Sequence, residues 1–117
     1  MSAVKVSITK FISDDQPGFV ECKFLDAWNK EHFVRDKVPI VTDKYLDVNS
    51  EYPQDGIIAC EILKEWKDAN GKTIFTVDTK KPWDVDTIEG LTQFDLFEEQ
   101  LTEFKRDNAS HQQKYLQ

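Results

Sequence analysis

Residues 18–28 read GFVECKFLDAW, and residues 56–66 read GIIACEILKEW. The two stretches fit one pattern, G-[FI]-[VI]-x-C-x-[FI]-L-x-x-W, without a gap. Gly18, Cys22, Leu25 and Trp28 correspond to Gly56, Cys60, Leu63 and Trp66. Val20, Cys22 and Phe24 alternate with Glu21 and Lys23, and Ile58, Cys60 and Ile62 alternate with Ala59 and Glu61. A period of two places one face of each stretch on a core and makes both strands.

A polar turn follows each strand, over residues 26–31 and 67–72. Asn70-Gly71 is a hairpin signal, because both residues tolerate positive φ. Return strands are expected over residues 32–35 and 73–79. Pro39 and Pro82 then end the pairing, since proline cannot donate to a ladder. The expected unit is a β-hairpin ending at a proline, used twice, over residues 18–39 and 56–82. Convergence of two amphipathic hairpins is the alternative to a true repeat.

Upstream, Val4, Val6 and Ile8 alternate in residues 3–12, an N-terminal strand, and DDQPG (14–18) is a turn. Residues 38–42, VPIVT, read as a further short strand. Residues 42–56 are rich in Asp, Asn, Ser and Pro and form the long connection, pinned by Tyr45, Leu46 and Tyr52. In residues 92–107 two periods compete. Phe94, Phe97, Leu101 and Phe104 make a helical stripe, and Thr92 with Asp95 resembles a capping box. Phe94 and Leu96 alternate as in a strand. The expectation is a short strand passing into a C-terminal helix near Phe97. Residues 108–117 form a polar tail beyond a single domain spanning 1–107.

The expected fold is therefore mainly β, a small antiparallel barrel or sandwich. Its 117 residues suit one core. Aromatic content of 12% excludes the disordered class. The opening MSAVKVSITKF lacks a basic start with a long apolar run, and no stretch is long enough to span a bilayer, so a cytoplasmic protein is expected. Cys22 and Cys60 lie in apolar runs and read as buried, reduced thiols.

Chemistry-bearing motifs are scarce. There is no phosphate-binding glycine loop and no nucleophile motif. Asp84, Asp86 and Glu89-Gly90 match a calcium loop too poorly to hold a metal. His32 with Asp36 is the best of weak catalytic pairs, and Asp36 and Asp78 recur at matching positions of the phrase. No cofactor is expected, and neither is an enzyme.

Charge is distributed unevenly. Residues 82–104 contain Asp84, Asp86, Glu89, Asp95, Glu98, Glu99 and Glu103, with no Lys or Arg. The other 15 acids equal the 15 bases, so this segment carries the whole net charge of −7. It would repel nucleic acid and attract a basic protein partner. Trp83 stands at its start as an anchor. Small acidic inhibitors, such as immunity proteins of basic toxins, share this charge logic. The alternative is a small-ligand module. Trp28 and Trp66 share the parity of their cysteines, which would turn both indoles inward at the hairpin ends, either to cap the ends of a barrel or to line a pocket between the hairpins. Self-association through strand edges is a further possibility.

Overall fold

Alternation in the sequence becomes pairing in space. The computed structural model describes residues 1–106. Its strands are β1 (Ser2–Ser13), β2 (Phe19–Leu25), β3 (Glu31–Lys37), β4 (Gln54–Lys67), β5 (Thr73–Asp78), β6 (Gln93–Phe97) and β7 (Leu101–Glu103). A one-turn helix, α1 (Val38–Val41), follows β3, and a 3₁₀ turn (Glu98–Gln100) joins β6 to β7. All pairings are antiparallel, in the order β3-β2-β1-β4-β5-β6, with β7 also on β1.

The two long strands change partners along their length. β1 pairs β7 over Ser2–Val4 and β2 from Ser7 onward. β4 pairs β1 over Gln54–Cys60 and β5 from Glu61 onward. Register shifts after Ile8, Phe11 and Ile62 add bend and twist. The sheet therefore curls into a half-barrel, and its pairings return to β1 through β7. Its concave face holds Val4, Ile8, Cys22, Cys60, Val77 and Leu96. Val41 and Leu46 pack on this core from α1 and the long connection, and Val85 from the segment after β5.

Both expected hairpins form, and what they share is the turn. Asp26 N–H donates to Lys30 O, and Asp68 N–H to Lys72 O, each at 2.9 Å. Asp26 Oδ1 accepts from Trp28 and Lys30 N–H, and Asp68 Oδ1 from Asn70 and Lys72 N–H. Asn29 (φ 62) and Gly71 (φ 79) take the left-handed position. DAWNK thus matches DANGK. That alignment sets Trp28 beside Asn70, four residues away from Trp66.

The phrase's two glycines also differ. Gly18 has φ +94 in the β1–β2 turn, whereas a Cβ on Gly56 would lie 2.9 Å from Ile8 Cδ1 and from Val41 O. Gly56 lets α1 close onto the sheet.

Four expectations are corrected. Residues 38–41 are helical rather than extended, with Pro39 in the first turn, where its missing N–H costs nothing. Tyr45 is 83% exposed, while Leu46 is buried and Tyr52 half-buried.

The C-terminal helix is absent, and one 3₁₀ turn stands in its place. Strand period prevails because Phe94 and Leu96 are buried opposite Val77 and Phe75. Gln100 Oε1 accepts from Phe97 N–H at 2.7 Å, while its Nε2 donates to Leu25 O and Asp26 O. The chain is thereby redirected onto β1.

The inward placing of Trp66 is also wrong. Leu63 is an extra residue between the pairs Ile62↔Val77 and Lys64↔Thr76. A bulge of one residue inverts the parity of the strand beyond it. Cys60 faces the core, and Lys64 and Trp66 face outward. The tail at 108–117 lies outside the described residues.

Candidate functional site: an indole pair on the outer face

The outer face of β4–β5–β6 is set by the register. Trp66 lies opposite Ile74, and Ile74 opposite Phe97. Lys64 lies opposite Thr76, and Thr76 opposite Asp95. Glu61 lies opposite Asp78, and Asp78 opposite Gln93. Ile74 is completely buried, although it faces away from the main core. The outer face therefore has a small apolar layer of its own, with Ile74 beneath larger rings.

Trp28 completes this layer from the β2–β3 turn. Its ring centroid is 6.3 Å from that of Trp66, with the planes tilted by 36°. Both indole N–H groups lead to one carboxylate. Trp28 Nε1 donates to Asp95 Oδ2 at 3.1 Å. Trp66 Nε1 donates to Thr76 Oγ1 at 3.0 Å, and Thr76 Oγ1 donates to Asp95 Oδ1 at 2.6 Å. Ala27 N–H donates to Asp95 O at 2.8 Å and ties the turn to β6. Even so, Trp28 is 55% exposed. A large aromatic ring held by its polar end, with its face in solvent, is the side chain that most often anchors an interface.

The turn is braced from below. Asp26 Oδ2 accepts from His32 Nε2 at 2.8 Å, and both residues are buried. This bond places a proton on Nε2, while Nδ1 has no partner. The imidazole lies 5.1 Å from the Phe24 ring and 4.8 Å from the Phe94 ring. Burial pushes the Asp26 carboxyl up. The hydrogen bonds from His32, Lys30 N–H and Trp28 N–H outweigh it and hold the group below the usual carboxylate value. His32, weighed in the sequence as a partner for Asp36, instead supports the turn through Asp26.

The acidic segment does not form one band. Trp83 packs edge-on against Phe104, with the Arg106 guanidinium 5.5 Å from its ring. Arg106 in turn donates to Pro39 O and Ile40 O, so Trp83 belongs to a clamp on α1. Asp84 and Asp86 are exposed around buried Val85. Ile88 N–H donates to Phe33 O and lays this loop on the free edge of β3. Glu89 pairs with Lys30, Glu99 with Lys72 and Glu103 with Lys105. Glu98 is exposed on the 3₁₀ turn. Of the eight residues expected at a partner site, Asp95 alone joins the indole pair. Trp28 and Trp66, expected at a pocket, meet instead on the outer face of the sheet, opposite the face that carries the main core.

Burial raises the Asp36 carboxyl and nearby Asp86 raises it further, against the Lys37 N–H and charge. Burial pushes the Cys22 thiol up to about 12, helped by Asp36 and Glu21, and the Cys60 thiol up to about 11. Both cysteines are free. Among the described residues, no group of three His, Cys, Asp or Glu side chains is placed to hold a metal, and no helix is long and apolar enough to cross a membrane.

Sequence reasoning missed Thr76, the brace that Asp26 forms with His32, and the placing of Glu61 and Asp78 side by side on the outer face. The signal for the turn was present in DAWNK and DANGK, whose Asp and left-handed Asn or Gly place Trp28 at a turn's tip. Compared with known proteins, the chain matches no family model, no curated protein and no solved structure.

Proposed function

We propose that the protein is a non-enzymatic binding module that docks a positively charged protein partner on the outer face of β4–β5–β6. The carrying observation is Trp28, more than half exposed yet fixed by its indole N–H on Asp95. An anchor already held in its bound geometry loses little side-chain freedom on binding. Trp66 extends the apolar contact, Phe97 borders it beneath the Lys72 ammonium at 3.9 Å, and Asp95, Asp78 and Glu61 supply the charge. The exposed acids Asp84, Asp86 and Glu98 add to a net charge of −7, which speeds encounter with a basic surface. The small-ligand reading has less support, because the two indoles meet on the outer face of the sheet and Trp28 is more than half exposed.

Affinity capture from cells that make the protein tests this reading. Wild type, Trp28→Ala and the charge reversal Glu98→Lys with Glu99→Lys are compared at low salt and at roughly 0.5 M salt. A basic protein is expected on wild type, released by salt and lost from Trp28→Ala. A partner that ignores both salt and the Trp28 change would refute it.

A further inference from the structure

Among the described residues, the carboxylate beside Trp28 has no counter-ion. Asp95 is half-buried and accepts two neutral hydrogen bonds, from Trp28 and Thr76. It takes part in none of the ion pairs among the described residues. A carboxylate has about four acceptor sites, so about two stay open here. One row away, Glu61 and Asp78 stand directly opposite each other across β4 and β5. Like charges in that position destabilise a sheet, and neither carboxylate joins an ion pair among the described residues. The same face already holds one cation against an indole, with Lys64 Nζ 5.8 Å from the Trp66 centroid.

We infer that the outward face of Trp28 and the open side of Asp95 form a subsite for an arginine side chain of the partner. A guanidinium is planar and weakly hydrated, and it stacks on an indole while its edge donates to a carboxylate. Both surfaces it needs meet here, because Trp28 Nε1 and Asp95 Oδ2 are 3.1 Å apart. A lysine ammonium would find the charge but would not stack. This inference rests on the docking reading above and names the group that the face takes.

The test uses N-acetyl-arginine amide and N-acetyl-lysine amide as probes. Indole N–H resonances of the folded protein are followed by two-dimensional NMR. Trp28 and Trp66 are expected to shift with the arginine probe and to saturate in the millimolar range, while Trp83 stays still. The lysine probe binds at least about fivefold more weakly. Asp95→Asn keeps an acceptor for the Trp28 N–H and removes the charge, and it weakens the arginine probe by a similar factor. Absent shifts at Trp28, equal response to the two probes, or an unchanged affinity in Asp95→Asn would each overturn the subsite. The docking reading is judged separately: a basic partner lost from Trp28→Ala, with no response to the arginine probe, would retain the docking face and reject the arginine subsite.

Discussion

The Asp26 carboxylate and the His32 imidazole meet at 2.8 Å, both buried, beneath the turn that presents Trp28. Asp26 also accepts the Trp28 and Lys30 N–H groups, so a single carboxylate shapes the turn and joins it to the aromatic floor of Phe24 and Phe94.

Removing that charge should be costly. Asp26→Asn is expected to lower stability by about 1–3 kcal/mol, the scale for removing a buried carboxylate that accepts three hydrogen bonds and leaving donors unsatisfied. Urea unfolding of the two proteins at neutral pH measures it.

The same group sets an acid limb. Its folded pKa lies below the unfolded value of about 3.9, so the unfolded chain binds the proton more readily. The stabilisation is full above that value and is lost as pH falls through the folded pKa. Wild-type stability should therefore drop on acidification below about pH 4. Asp26→Asn should show a shallower drop over the same range, and equal slopes would contradict the assignment.

Exposure and burial on the outer face can be separated by two alanines. Trp28→Ala removes a ring that is mostly in solvent and should change stability by only about 1 kcal/mol. Ile74→Ala empties a fully buried site and should cost about 2–5 kcal/mol. Equilibrium unfolding compares them. A large loss in Trp28→Ala would make the ring structural rather than available.

The cysteines should be silent in the folded state. With both thiols raised by burial, to about 12 and about 11, almost no thiolate exists at about pH 8. A chromogenic disulfide reagent should label neither until denaturant is added. Prompt labelling of one thiol in the native protein would show that its strand opens.

Period-two alternation made the strands readable, and NG made the second turn readable. The faces were readable only as far as parity holds. Leu63 is the case in point, because nothing in EILKEW announces a bulge, and one extra residue moved Trp66 from the core side to the solvent side. The helical stripe Phe94, Phe97, Leu101 and Phe104 misled for a related reason. Local spacing does not record that β5 and β1 each offer an open edge to this segment, and those ladders are non-local. The acidic composition of residues 82–104 was visible, but its scatter over the β3 edge, β6, the 3₁₀ turn and β7 depends on chain paths that composition does not contain. Asp95 was therefore grouped with the other acids, and its link to two distant indoles was invisible.

The decisive measurement is the affinity of the captured basic partner for wild type and for Trp28→Ala, by titration calorimetry at low salt. A buried tryptophan anchor is worth about 2 kcal/mol or more, so affinity should fall by roughly 30-fold, with the circular dichroism spectrum unchanged and Tm lowered by only about 5 °C. An affinity that stays the same in Trp28→Ala would contradict the outer face of β4–β5–β6 as the docking surface.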